Sequence, residues 1–195
     1  MVMNIGVLAL QGAVTEHLRA IQAAGANAVA VKNVEQLEYI DGLLLPGGES
    51  TAIRRLIDNA SMLPALQQFA KIKPVFGTCA GCILLAENVE NGDASIGQMR
   101  ITVRRNAFGR QIDSFETTLT IQGISDAFPA VFIRAPKIIA VEPGVEVLAT
   151  YEGDIVCVRD RHLLACSFHP ELTDNLSLIT YFIEKMCKDN SGCAN

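Results

Sequence analysis

The stretch "KPVFGTCAGC", residues Lys73–Cys82, decides how this chain is read. A short apolar run ends in Gly77-Thr78-Cys79-Ala80-Gly81, which fits the Gly-x-nucleophile-x-Gly pattern of a strand-to-helix turn. Such a turn strains the backbone of its central residue and crowds its neighbours, so the flanking positions must carry minimal side chains. The thiol then projects above a sheet at the start of a helix, where the helix dipole favours the thiolate. Taken alone, the segment also admits a plainer reading, a buried cysteine beside an ordinary turn.

Working outward, the first half alternates strand and helix signals. "NIGVLAL" is an aliphatic run, and "TEHLRAIQAAG" follows with helical spacing and a glycine stop. "NAVAVKN" reads as a second strand. "DGLLLPGG" reads as a third, and "STAIRRLIDNA" then starts a helix with hydroxyl caps. "KPVFGT" is a fourth, continued by "CILLAENV" as a helix. Aliphatic strands joined through helices imply a parallel sheet covered on both faces, with binding sites at the carboxyl ends of the strands. "LQG", "PGGES" and "TCAG" all fall at such ends. The second half alternates apolar and polar residues in "MRITVRR", "SFETTLTI" and "VEVLATYEGDIVCVRDRHLLACSF", as antiparallel strands do, with "VFIRAP" as a short strand and "SLITYFIEKMCK" as a closing amphipathic helix. The expected fold is therefore α/β: a doubly wound, mostly parallel sheet with helices on both faces and an antiparallel extension. Without repeats or a Gly/Pro/Ser-rich linker, the reading is one domain over residues 1–187 and a polar, disordered tail over 188–195.

The bulk properties narrow the chemistry. The chain has 195 residues, half of them apolar, and a net charge of −5 with scattered basic residues, so no attraction to nucleic acid is expected. No apolar run approaches the ~18 residues of a membrane span, and the opening lacks a charged leader, which makes a cytoplasmic protein the expectation. Six cysteines in a long aliphatic chain read as reduced thiols. Cys157, Cys166 and Cys187 sit among apolar residues as small buried hydrophobes, while Cys193 lies in the polar tail.

A nucleophilic thiol needs a base, and there are three histidines. His17 lies on a helix amid polar neighbours and reads as solvated; His162, in "RDRHLL", reads as part of a hairpin turn. His169 follows the strand "LLACSF" and precedes Pro170 and Glu171. In an extended segment residues two apart point the same way, so Glu171 can face the His169 ring. A carboxylate there supports the imidazolium, the third role of a triad. Gly47 and Gly48 in "LLLPGGES" can present bare N–H groups to an oxyanion, together with the N–H of Ala80 after the nucleophile. The same loop could be a plain turn and cap, and as a phosphate cradle it lacks the Gly-Lys-Ser/Thr of a P-loop. Two rivals stand beside a Cys-His-Glu enzyme. Cys79 and Cys82 form C-x-x-C, a possible thiol–disulfide pair, and a non-catalytic binding subunit could keep the same fold. A zinc site lacks a second pair of ligands.

Together, "LALQGAVTEH", "LLLPGGEST", "FGTCAG", "RRNAFGRQIDSFE", "VFIRAP" and "CSFHPEL" resemble the class I glutamine amidotransferases, specifically the family of glutaminase subunits of pyridoxal 5'-phosphate synthase. The resemblance runs in order from near residue 4 to near residue 185. It implies Cys79 as nucleophile with His169 and Glu171 completing the triad. It also implies glutamine contacts at Gly48, Glu49, Ser50, Arg105, Ile133 and Arg134, and a loop at Gln11 and Gly12 beside the oxyanion site and a partner interface. No metal or organic cofactor is implied. The implied partner is a separate synthase subunit that accepts the ammonia in a hetero-oligomeric complex. Cys82 departs from the aliphatic residue usual in that family.

Overall fold

A computed structural model describes residues 2–105 and 114–191. The first half builds the parallel part of one sheet. Strands β1 (Asn4–Leu8), β2 (Asn27–Val31), β3 (Gly42–Leu45) and β4 (Val75–Thr78) alternate with helices α1 (Val14–Ala23), α2 (Ser50–Asn59) and α3 (Leu63–Ile72). Helix α4 (Ala80–Leu85) leaves β4 directly and gives way to β5 (Ala86–Val89), so "CILLAENV" is only half helical. The second half supplies β6 (Met99–Arg104), β7 (Ser114–Ile121), β8 (Ser125–Ile133), β9 (Lys137–Val141), β10 (Glu146–Tyr151), β11 (Asp154–Asp160) and β12 (Leu163–Cys166).

The main sheet runs β2-β1-β3-β4-β12-β11-β9-β6-β5, with β10 also paired to β11. Strand β12 returns from the far end of the sequence to pair in parallel with β4, Cys166 opposite Thr78. From β12 outward the pairing turns antiparallel through β11, β9 and β6. β7 and β8 form a separate antiparallel pair. The fold is the expected doubly wound, mostly parallel sheet with an antiparallel extension.

Strand alternation sends successive residues to opposite faces, and two apolar clusters result. In β3, Leu44 joins one face with Phe76 of β4 and Ile21 of α1, whereas Leu43 and Leu45 join the other with Ile53 and Ile57 of α2. The first face is also covered by the β7–β8 pair and by the C-terminal helical segment. That segment runs through α5 (Ser177–Tyr181), a wider i→i+5 stretch (Phe182–Cys187) and α6 (Lys188–Ser191). Helical backbone therefore continues past residue 187, where the sequence reading began a tail; residues 192–195, including Cys193, lie outside the described residues. Cys157, Cys166 and Cys187 are buried, as their neighbours implied.

Candidate active site

The elbow is built by a shortage of space. Cys79, between β4 and α4, has φ 49° and ψ −104°, a conformation an L-residue adopts only under constraint. A Cβ on Gly77 would fall 2.5 Å from the Gly81 carbonyl carbon, and one on Gly81 would fall 2.1 Å from the Leu45 carbonyl oxygen. Neither position admits a side chain. The Cys79 N–H donates to the Cys166 carbonyl at 2.9 Å, so the β4–β12 ladder itself anchors the elbow. Its Sγ lies 3.9 Å from the Ile133 carbonyl oxygen.

Because β12 lies beside β4, the residues leaving its carboxyl end arrive next to the thiol. His169 donates its backbone N–H to the Val131 carbonyl at 2.8 Å, and its ring Nδ1 lies 2.7 Å from Glu171 Oε1. The backbone between them is not extended: Pro170–Leu172 form a single 3₁₀ turn. The two side chains meet through that turn rather than through strand alternation. Burial works to lower the basicity of His169, but its hydrogen bonds to Cys79 and Glu171 prevail and raise its pKa to about 10. Burial raises that of Glu171, yet the imidazoles of His17 and His169 hold the carboxyl below its ordinary range.

The Pro-Gly-Gly turn closes over this pair. A Cβ on Gly47 would lie 2.4 Å from His169 Cε1 and 3.4 Å from Cys79 Cβ, so the loop rests directly on both candidate catalytic side chains. The Gly47 carbonyl accepts the Ala13 N–H at 3.0 Å, and Gln11 Oε1 accepts the Glu49 N–H at 3.1 Å. Gly12, at φ 103°, packs against this loop with no room for a side chain. The hydroxyl caps expected for α2 are absent. Glu49 caps it instead, accepting the N–H groups of Thr51 at 3.0 Å and Ala52 at 2.7 Å, which hold its carboxyl below the ordinary range. Arg105 donates to Thr51 Oγ1 at 2.9 Å and to Glu49 Oε1 at 3.3 Å.

A cavity of about 320 Å³ opens over these groups. Its lining includes Cys79, Ala80 and His169, the loop residues Gln11, Gly48, Glu49 and Ser50, and Arg105, Ile133 and Arg134. Glu171 sits behind His169, buried. Apart from Glu171, Gly12 and Gly47, the sequence candidates thus line one pocket. Ile83 and Pro136 also line it and carried no sequence signal of their own. Of "RRNAFGRQIDSFE", residues 106–113 lie outside the described residues.

Two sequence expectations need correction or refinement here. His17 is not solvated: it is completely buried, because the face of α1 that carries it packs onto the end of β4 and the turn bearing Glu171. Cys82 is also completely buried, in the apolar cluster on the α2 side of the sheet, and burial drives its thiol pKa far up. Among the described residues no group of three or more His, Cys, Asp or Glu is arranged to hold a metal ion, and no helix is long and apolar enough to cross a membrane.

The architecture is that of the glutamine amidotransferases. A solved structure described as a glutamine amidotransferase superposes with a TM-score of 0.88 at 42% identity, covering 92% of this chain and 97% of that one. A putative GMP synthase component from Thermoplasma acidophilum, 17% identical, shares the fold at a TM-score of 0.70, covering 98% of this chain and 97% of that one. More narrowly, the chain belongs to the SNO glutamine amidotransferase family, whose model matches residues 7–188. It is 58% identical over 183 residues to the pyridoxal 5'-phosphate synthase subunit PdxT of Geobacillus sp. (strain WCH70), covering 93% of this chain and 95% of that protein. Identity to the corresponding subunit of Bacillus cytotoxicus is 57%, covering 93% of each.

Proposed function

We propose that this chain hydrolyses L-glutamine to L-glutamate and ammonia, and that it supplies the ammonia to a separate synthase subunit making pyridoxal 5'-phosphate. The observation that carries the reading is a strained, glycine-framed cysteine beside a buried histidine whose far nitrogen lies 2.7 Å from a carboxylate. The names of the 57–58% identical relatives supply the pathway and the partner.

In this reading the Cys79 thiolate attacks the side-chain amide carbon of glutamine. Backbone N–H groups of Ala80 and the Gly47–Gly48 loop hold the developing oxyanion, where a single donor is worth about 3–4 kcal/mol. His169 protonates the leaving nitrogen as the C–N bond breaks, and ammonia departs from a thioester. The same ring then takes a proton from water, the hydroxyl adds to the thioester, and glutamate leaves as the thiol is restored. Glu171 orients and supports the imidazolium. Gly48, Glu49, Ser50, Arg105, Ile133 and Arg134 hold the α-carboxylate and α-ammonium ends of the substrate. No step calls for a metal or organic cofactor. The chain works as one glutaminase domain in the cytoplasm. The partner docks at the carboxyl edge of the sheet, near Gln11, Gly12 and the Pro-Gly-Gly turn. Complete burial of Cys82 among aliphatic side chains favours packing over a redox role.

The test is glutamate release with and without the synthase subunit. The partner should raise the rate, and Cys79→Ala should abolish it. Alanine at Gln11 should weaken complex formation or activation; if it changes neither, the docking face lies elsewhere.

A further inference from the structure

The triad as described leaves a buried histidine beside it unused. From α1, His17 places Nε2 3.4 Å from Glu171 Oε2 and 3.0 Å from Thr78 Oγ1, with all three residues buried. Glu171 Oε1 is taken by His169, and Glu171 Oε2 has no hydrogen-bonding partner by geometry among the described residues. His17 Nδ1 is likewise buried without one.

These four atoms determine where the His17 proton sits. A proton on Nδ1 would leave a buried N–H with nothing to accept it and would aim the Nε2 lone pair at a carboxylate. Both are costly among side chains this deeply buried. A proton on Nε2 can be accepted by Thr78 Oγ1 at 3.0 Å while lying 3.4 Å from the negative Glu171 Oε2, and leaves only the Nδ1 lone pair unpaired. Protonating both nitrogens is opposed by burial, the dominant influence on this ring, and by the His169 cation; the Glu171 and Glu16 carboxylates favour it but do not prevail.

We infer that His17 is a positioning residue of the catalytic machinery: a neutral imidazole whose Nε2–H holds the second oxygen of Glu171, so that the first stays on His169. It does not touch substrate and acts through Glu171. Through Thr78 the same nitrogen ties α1 to the residue before the nucleophile. The N-terminal end of α1 is joined to the Pro-Gly-Gly turn by the Ala13 N–H, so one helix spans both halves of the site. The inference rests on the triad reading given above.

The groups facing Glu171 are His17 from α1, His169 on its own segment, Cys79 beyond His169, and the Cys166 thiol of β12. Of these, only the His17 ring places a nitrogen beside Oε2, with Nε2 at 3.4 Å. Losing that donor makes the carboxylate easier to protonate, so the acid limb of the pH–rate profile moves to higher pH.

The experiment has two arms. In the first, the full chain carrying ¹⁵N-labelled histidine is studied by NMR at pH 7.5, with His17→Gln used for assignment. A neutral His17 ring protonated at Nε2 is expected; an Nδ1–H tautomer or a doubly protonated ring overturns the inference. In the second, glutamate release by the complex is followed from pH 5 to 9 for native, His17→Met and His17→Gln chains. His17→Met fills the space without a donor. It should lower kcat about tenfold and raise the acid limb by about one pH unit, the worth of one such hydrogen bond, with KM within about twofold. His17→Gln keeps an N–H at the same reach and should restore most of both. Native kcat and acid limb in His17→Met, or equal losses in both variants with the limb unmoved, reduce His17 to packing and sink the idea. If His17→Met does not fold, the tautomer decides. Failure of the triad reading looks different: glutamate release would then survive Cys79→Ala.

Discussion

At the scale of single residues, two thiols three positions apart have opposite surroundings. Cys79 lines the open cavity beside a histidine; Cys82 faces the core with burial pushing its ionisation far up. Alkylation with a small iodoacetamide probe at neutral pH should therefore label Cys79 in the native chain, and Cys82 only after unfolding. Cys82→Ala should keep glutamate release within about twofold of native while costing about 1 kcal/mol of stability through the small cavity it leaves. Rapid labelling of native Cys82, or loss of turnover in Cys82→Ala, would restore the redox pair as a serious reading. That Cys79, His169 and Glu171 would be brought together was legible from the glycine frame and the His-Pro-Glu run, although the turn that joins the last two was not. Nor was the place of His17. Helical periodicity classed it by its polar sequence neighbours, but its burial is imposed by β4 and the Pro170–Leu172 turn, which approach from distant parts of the chain. Glu49 as the cap of α2 was missed for a related reason: two hydroxyl residues stood one step further on, yet only the carboxylate reaches both free N–H groups.

At the scale of elements, the elbow depends on how closely β4, α4 and the end of β3 approach. Gly81→Ala inserts a methyl group 2.1 Å from the Leu45 carbonyl oxygen, so either the start of α4 or the end of β3 must shift. Glutamate release should fall at least 100-fold, since displacement of about 1 Å at a reacting centre is enough for that, and the variant should unfold at lower temperature. Native turnover in Gly81→Ala would mean that the elbow does not need this contact. A second element-level device holds the antiparallel extension. Arg100 of β6 donates its backbone N–H to Asp160 Oδ2 at 3.1 Å and two guanidinium N–H groups to the same carboxylate, on β11, at 3.0 and 2.7 Å. Asp160→Ala removes the acceptor of the Arg100 backbone N–H, while the guanidinium, about a third exposed, can turn to solvent, so a loss of about 1–2 kcal/mol in chemical unfolding is expected. A change below about 0.5 kcal/mol would show that solvent replaces the carboxylate without penalty. The strand and helix order of the parallel half was readable because aliphatic runs alternate with helical spacing and turn residues. β5, β9 and α3 were not read: β5 is short and half polar, β9 is a short apolar run directly after Pro136, and α3 sits between two strong signals.

At the scale of the whole molecule, proton uptake by the buried groups sets how stability follows pH. His17 is held below its ordinary pKa in the folded chain. Its contribution is therefore present above about 6.5, the unfolded value, and is lost as pH falls and the unfolded chain takes up a proton that the buried ring refuses. Asp160 and Glu171 are also depressed, so their contributions vanish lower still, below about pH 4. His169 has the opposite sign. Raised to about 10, it stabilises fully below about 6.5 and loses that contribution as pH rises towards its folded value. Near pH 6.5 the two histidines therefore oppose and nearly cancel; between about pH 6 and 5 His169 opposes only weakly, the carboxylates have barely begun, and His17 drives a net decline of less than about 1.4 kcal/mol per pH unit. Urea unfolding at half-unit steps across that interval should show this slope in the native chain. His17→Gln, which cannot take up the proton when unfolded, should flatten the slope while leaving the steeper acid loss below about pH 4 in place. An unchanged slope in His17→Gln would mean that the folded ring protonates as readily as the unfolded one, contradicting both its burial and the neutral form in which it faces Glu171.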